Sequence, residues 1–400
     1  MLNKKRVVIV GGGAAGIMTA LQLDNKFEVY LIDKEKTLGR KLLVAGKGGF
    51  NLTNNTNQDN LVKKYTPHLF LNKALNNFTA DQLRSLLEEL GVETFVGSSN
   101  RVFPIRGIKP IEVLNVLLGK LTDKGVHFRL NHSLVDFTKD KLILINKEDE
   151  KLELEFDYCV LALGGASWKK TGSDGAWLDL IQRKKIEVAP FQASNCGLNI
   201  NWDADFIKNH EGKPLKNIQL EVNSVLVKGE ALVTRYGLEG NAVYPIVKEV
   251  RNCIEIGEKP ILNIDFKPKN SAKELQRKIQ RRGSKDYARY LNLNSVEMTL
   301  IKCYTTKEEY LNIDLFSKKV KSLSIPIDSL RQIDEAISTV GGIVVESLNK
   351  DFSLSLFPNV YSVGEMVNWD APTGGYLLQG CFSMGASVAW SINEKGRTSI

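Results

Sequence analysis

Apolar positions follow two different rhythms along this chain. Up to about residue 190, short apolar runs alternate with stretches at helical spacing. Arg6–Val10 reads as a buried strand, Ile17–Leu23 as a helix, and Phe27–Asp33 as a second strand ending in an acid. Asn72–Phe78 and Thr79–Leu90 read as helices, with Thr79 as N-cap and Gly91 as the stop. Glu93–Val96 and Arg101–Pro104 are short strands, and Pro110–Leu121 is an amphipathic helix. Val126–Phe137, Lys141–Asn146 and Leu152–Phe156 read as strands. The apolar run Asp157–Leu163 predicts a central parallel strand covered on both faces, and it ends in Gly164-Gly165.

Around Pro190 the helices drop out. Ser194–Trp202, Ile218–Val227, Ala231–Thr234 and Pro260–Phe266 are strand-like. Helical signals then run from Lys267 to about Lys321, with Ala272, Leu275 and Ile279 as a buried stripe. After residue 330 the first rhythm returns. Ile333–Val340, the turn Gly341-Gly342 and Ile343–Glu346 read as strand, turn and strand, Asn359–Glu365 as a strand, and Cys381–Trp390 as a small-residue helix. The expected organisation is one α/β domain in two segments, 1–190 and 331–400. A module over 191–330 interrupts it, β-rich over 191–266 and helical over 267–321.

The first strand, helix and second strand enclose Gly11-Gly12-Gly13-Ala14-Ala15-Gly16, a G-x-G-x-x-G loop. In this context the spacing predicts a dinucleotide seat. Gly11 makes the sharp turn, Gly13 lets backbone approach a pyrophosphate, and Gly16 lets helix and strand pack closely. The N–H groups from Gly13 to Ala15 face the phosphates, and Asp33 accepts from a ribose diol. A second such loop is absent from the sequence, so either a nicotinamide donor, NAD(P)H, binds only transiently or electrons come from elsewhere.

Composition narrows the class. The 400 residues are 43% hydrophobic and 25% charged, as in a globular protein. No apolar run approaches a membrane span, and the short apolar run after the basic N-terminus enters the glycine loop directly, so it reads as strand and not signal peptide. Cys159, Cys196, Cys253, Cys303 and Cys381 are scattered without a C-x-x-C pair, and His68, His127, His132 and His210 show no ligand spacing. The expectation is a cytoplasmic protein without metal. The net charge of +8 is uneven: Lys267–Arg289 carries nine Lys or Arg against two acids, a net of +7. That segment reads either as a solvated helix face or as a contact for a polyanion such as RNA. Expected partners are a small molecule or RNA, with neither membrane nor DNA.

Three further stretches are shared with flavoproteins of the glutathione reductase type and point to FAD. They are Leu38-Gly39-Arg40-Lys41, Ala162-Leu163-Gly164-Gly165 and Val363-Gly364-Glu365. The expected cofactor set adds Lys34, Gly46, Asn51, Leu52 and Thr53 from the glycine-rich segment after Asp33, and Val135 from the Val126–Phe137 strand. Gly375, Tyr376 and Leu377 open a helix aimed at the flavin, where their N–H groups meet negative charge. Arg40 and Lys41 read as positioning FAD. Tyr376 is a candidate proton donor or a packing ring. Cys381 is a candidate proton donor or redox partner, or a small buried residue. Trp369 and Asp370 are a substrate wall or a turn, and Arg235 and Tyr236 are candidates for the substrate side.

Gly39–Asn54 resembles the "GRK-hydrophobic-G-G-N-x-T" signature of the BaiN/RdsA family of NAD(P)/FAD-dependent oxidoreductases. Leu163–Trp168, Thr171–Gly175, Pro214–Asn217, Gly229–Gly240, Asp334–Gly342 and Ala371–Tyr376 extend the resemblance over nearly the whole chain. Where many members carry Arg-Cys, this chain has Gly49-Phe50, closer to an aminoacetone-oxidase-like subfamily, so roles of that Arg and Cys do not carry over. The resemblance implies a glutathione-reductase-type Rossmann FAD-binding domain interrupted by an insert with a β-rich and a helical part. It implies hydride addition from reduced flavin to an activated C=C bond, in an oxidised bile acid or in ribosomal RNA uracil. Alternatives are a flavin oxidase of a small amine or ketone, and an FAD-binding protein without turnover.

Overall fold

A computed structural model describes residues 4–45 and 49–397. Gly46, expected at the cofactor, lies outside the described residues. Two compact units emerge, Met1–Gln192 with Ile337–Ile400, and Ala193–Ala336.

The first unit is built on a six-stranded sheet in the order Ser353–Leu354, Phe357–Ser362, Tyr158–Leu161, Arg6–Val10, Glu28–Ile32, His127–Arg129. All neighbours are parallel except the Ser353–Leu354 edge. Val7, Val8 and Ile9 are fully buried because helices cover the sheet and its central strand needs apolar side chains on both faces. From Arg6–Val10 the chain runs to Glu28–Ile32 on one side, and Tyr158–Leu161 lies on the other. The topological switch therefore falls between the carboxyl ends of Arg6–Val10 and Tyr158–Leu161, where open α/β sheets bind ligands.

The Ala14–Gln22 helix lies against the Tyr376–Lys395 helix. Their approach is close enough that a Cβ at Gly385 would sit 2.4 Å from the Ala15 carbonyl oxygen. Asn393 closes the far end: its Oδ1 accepts from Asp24 N–H at 2.9 Å and its Nδ2 donates to the Gln22 carbonyl at 3.0 Å. The unit also holds two small antiparallel sheets, Thr53–Asn54 with Arg101–Pro104 and Thr94–Val96, and the meander Ser133–Phe137, Lys141–Ile145, Lys151–Glu155.

The second unit has its own core around a seven-stranded antiparallel sheet. Its order is Leu323–Pro326, Ile261–Asp265, Pro214–Val222, Val225–Thr234, Gly237–Glu239, Leu198–Asn199, Ser329–Leu330. Helices include Ala272–Ile279, which buries Leu275 and Ile279, and Ile313–Lys321, which buries Phe316.

Several elements differ from the sequence pattern, among them the strands expected over Ile333–Val340 and Ile343–Glu346, where 3-10 turns form at Ile333–Glu335 and Val345–Ser347. The expected strand Ile218–Val227 is two strands joined at Asn223-Ser224, which take φ of 47° and 66° as a two-residue hairpin turn demands. Gly341-Gly342 is no turn but lies inside the strand Ser338–Ile343. Glycine is needed there because a Cβ would meet Pro190 O at 2.4 Å and Met366 O at 2.2 Å. Val126–Phe137 is broken at Asn131, with φ of 59°, into His127–Arg129 and Ser133–Phe137. No described helix is long and apolar enough to cross a membrane.

Candidate functional site

Gly11 leaves the first strand with φ of 109° and lies so close to the neighbouring strand that a Cβ would sit 2.1 Å from Ala162 O. At Gly16 a Cβ would sit 2.0 Å from Gly11 O, which is the close helix–strand contact the spacing requires. Gly13 differs: nothing lies within 4 Å of its Cβ position, so it borders open space. The first bond of the helix is Ile17 N–H to Gly13 O at 2.9 Å. The N–H groups of Ala14, Ala15 and Gly16 precede it, at the positive end of the helix dipole.

Asp33 stands beside this loop. Its Oδ2 accepts from Gly12 N–H and its Oδ1 from Glu35 N–H, both at 2.8 Å, and each oxygen keeps a lone pair. Burial raises the carboxyl pKa, against the pull of those two N–H groups. His132 N–H donates to the Asp33 carbonyl at 3.0 Å and leads the chain on to Val135. There the register passes from Leu134↔Leu144 to Asp136↔Ile143, so Val135 is the extra residue of a bulge and is exposed.

The charged residues after Asp33 are mutually engaged. Lys34 pairs with Asp174 at 2.7 Å, and Arg40 binds Glu35 and the Lys170 carbonyl. Gly39 N–H donates to Gly12 O at 2.8 Å, which fastens the segment to the glycine loop. Lys41 reaches Glu365 at 2.7 Å and Ser167 Oγ at 2.9 Å. The other Glu365 oxygen accepts from Thr339 N–H at 2.8 Å. One charge-assisted cluster thus joins Lys41, the Ser167 turn and Gly364-Glu365. Gly164 O accepts from Trp177 Nε1 at 3.0 Å, and Gly364 O accepts from Trp369 Nε1 at 2.8 Å. Trp369, 2% exposed, is therefore part of the scaffold.

The Tyr376–Lys395 helix starts at Gly375, with φ of 95°. A Cβ there would be 2.4 Å from both Thr53 C and Thr53 O, so helix start and Thr53 backbone touch directly. Thr53 Oγ1 donates to Gln379 Oε1 at 2.5 Å, and Gln379 Nε2 donates to Phe78 O at 2.8 Å. Asn54 Nδ2 donates to Gly374 O at 3.0 Å. Tyr376, Leu377 and Leu378 precede the first intrahelical bond, Gln379 N–H to Gly375 O, so their N–H groups face off the helix end. Leu52 is buried. The neighbouring Asn51 Oδ1 is buried without a hydrogen-bond partner, a deficit that a ligand donor would remove.

Tyr376 packs edge-on against Tyr65, whose hydroxyl donates to the Tyr376 carbonyl at 2.7 Å. Cys381 lies under the Gly364 turn, with Sγ 3.7 Å from the Gly364 Cβ position. Burial first, and then the Glu365 carboxylate, push its thiol up to about 12, so it stays protonated near neutral pH. Arg101 carries no motif in the sequence, yet the strand register sets it directly opposite Asn54. In the second unit, Tyr236 is engaged by Glu239 and lies under Arg331 at 4.2 Å, and Arg235 is exposed beside Glu211.

FAD fits this constellation. Open space borders Gly13, Asp33 has lone pairs free, and Asn51 Oδ1 lacks a donor. Fold and site together define a Rossmann-fold FAD-binding oxidoreductase, an α/β domain with β-rich and helical insertions. Residues 5–391 match the family described as "HI0933-like protein Rossmann domain", and the chain belongs to that family.

It is 22% identical to the 3-dehydro-bile acid delta(4,6)-reductase of Clostridium scindens, over 98% of this chain and 99% of that protein. It is 21% identical to the ribosomal RNA dihydrouridine synthase of Haemophilus influenzae, over 97% and 98% respectively. In fold it resembles the open conformation of a flavocytochrome c3 fumarate reductase, with TM-score 0.54 and 12% identity, covering 98% of this chain and 78% of the other. A 3-ketosteroid delta1-dehydrogenase from Sterolibacterium denitrificans matches with TM-score 0.50 and 11% identity, covering 97% and 99%.

Proposed function

We propose that this chain is an FAD-dependent reductase of the BaiN/RdsA branch that adds hydride to an activated C=C bond, with NAD(P)H as a transient donor. The observation that carries this reading is that the Gly375 helix start, packed on the Thr53–Asn54 strand, and the Lys41–Glu365 cluster belong to the same unit as the glycine loop. Together they would hold one long ligand along its length. Ala14–Gly16 N–H groups would hold the pyrophosphate, Asp33 the ribose diol, and the Val135 bulge the adenine edge. Gly11, Gly13, Gly39, Ala162 and Gly164 would let backbone approach it. Lys34 and Arg40 would frame the ribose side through Asp174 and Glu35. Lys41 would fix Glu365 toward the ribityl hydroxyls.

Asn51, Leu52 and Thr53 would line the ring, and the N–H groups of Tyr376 and Leu377 would face its negative end. When bound, FAD supplies the two-electron transfer. Tyr376 would deliver the proton to the carbon opposite the hydride. Cys381, partly buried and protonated, is the second candidate for that proton. The five free cysteines suit a cytoplasmic setting.

Two substrate classes compete, a small enone and a uracil base of ribosomal RNA. Lys269, Lys273, Arg277, Lys278, Arg281, Arg282, Lys285 and Arg289 are all exposed, because Leu275, Ile279 and Tyr287 turn the apolar side of their helices inward. Such a cationic face supports the RNA substrate. The experiment is anaerobic stopped-flow reduction of the FAD-loaded protein by NADH and NADPH, then reoxidation by air or an enone, with dihydrouridine mapping of ribosomal RNA in a deletion strain. Rapid peroxide formation in air would replace the reductase reading with an oxidase. FAD that no donor reduces would replace it with a binding protein.

A further inference from the structure

Arg101 has no role in the constellation described so far, yet its position is tightly specified. The antiparallel register Asn54↔Arg101 makes the two cross-strand neighbours. Asn54 is a fixed post, 3% exposed, with Nδ2 on Gly374 O at 3.0 Å and on Ser99 O at 3.3 Å. Arg101 stands beside it. From the position a Gly374 Cβ would take, Arg101 Nε is 3.7 Å away and Tyr376 Cε2 3.5 Å away. Arg101 is partly buried, and among the described residues no carboxylate or other side-chain hydrogen bond engages it. Tyr376 is 9% exposed, and its hydroxyl likewise has no described partner. Its phenol is pushed up by burial and drawn back by the Arg101 charge, so the two groups sense each other.

Positive charge is therefore set beside the positive end of a helix, with no acid paired to it among the described residues. Partial burial strips some water from that charge and the helix dipole opposes it, so an oxygen ligand there would be favoured. We infer that Arg101 and Tyr376 form a subsite for a conjugated carbonyl oxygen that gains negative charge, the guanidinium and the phenol each donating a hydrogen bond to it. This rests on the reading that the ring end of FAD lies at Gly374–Leu377. Two oxygens have the required chemistry, the pyrimidine carbonyl of the flavin and the carbonyl of an enone or uracil substrate.

The test uses FAD-loaded full-length protein as wild type, Arg101→Lys, Arg101→Met and Tyr376→Phe, with the exposed Arg106→Met as control. Flavin content is measured first, and a wild type that holds no FAD fails the functional reading and not this one. The midpoint potential of bound FAD is then measured by dye equilibration, and the affinity of oxidised protein for crotonate and 2-cyclohexenone by calorimetry. A substrate oxygen predicts about a tenfold or greater loss of probe affinity in Arg101→Met at unchanged potential, the scale of one lost charged hydrogen bond. A flavin oxygen predicts a lower potential in Arg101→Met at unchanged probe affinity. In either case Arg101→Lys is intermediate and Arg106→Met is silent. The subsite is overturned if Arg101→Met, or Arg101→Lys should the former not fold, keeps its FAD and matches wild type in both measurements.

Discussion

Gly375 occupies a position that no other residue can share. Its φ of 95° and the 2.4 Å from its Cβ position to the Thr53 backbone exclude a side chain twice over. Gly375→Ala should cost about 1–3 kcal/mol through overpacking and strain. It should also push the helix start off Thr53, and the readout is the flavin-to-protein absorbance ratio of the purified variant. Asp33→Asn keeps the volume but replaces a carboxylate that already accepts two N–H bonds. FAD affinity should fall about 10- to 100-fold, the range for a lost charged hydrogen bond, as measured by fluorescence titration.

Cys381 makes a pH prediction. Its folded thiol is raised from 9.0 to about 12, so the unfolded chain releases this proton first. The associated stability is complete below 9.0 and declines as pH rises toward about 12. Cys381→Ala should flatten the alkaline limb of urea-unfolding stability, and equal slopes in wild type and variant would refute the assignment.

At the scale of elements, the contact between the Ala14–Gln22 and Tyr376–Lys395 helices depends on Gly385. Gly385→Ala places a methyl 2.4 Å from Ala15 O and should destabilise by about 1–3 kcal/mol, seen as a lower thermal midpoint of the first unit. The elements of that unit were largely legible in the sequence, because a buried parallel strand must be apolar throughout and a glycine loop between strand and helix has few other uses. The turn at Asn223-Ser224 was not, since neither residue is glycine and the apolar alternation runs through it. Gly341-Gly342 misled in the opposite direction. Its glycines answer to the carbonyls of Pro190 and Met366, which are neighbours in space and not in sequence. Arg101 was invisible for the same reason: a register between two-residue and four-residue strands leaves no periodic signal.

For the molecule as a whole, the two units have separate cores, and every residue proposed to hold FAD belongs to the first. Calorimetry should therefore resolve two transitions of which added FAD raises one. About 2.7 kcal/mol is expected at a free concentration near one hundred times Kd. The exposed cations of Lys267–Arg289 belong to the second unit. If they hold RNA, log affinity should fall with log salt by about 0.7 per phosphate neutralised on a single strand. Reversing Arg277, Lys278, Arg281 and Arg282 should reduce that slope while leaving FAD binding intact.

The contact between the first and last helices of the first unit also sets a schedule for synthesis. Asp24 and its partner Asn393 are 369 residues apart. At about 5–20 residues per second, a ribosome needs roughly 20 to 70 s between them. Through most of that interval the Ala14–Gln22 helix is outside the exit tunnel without the helix that packs against it. Until the Tyr376–Lys395 helix is made, the buried face of Ala14–Gln22 lacks the surface it packs against, and the contact of Gly375 with Thr53 cannot form.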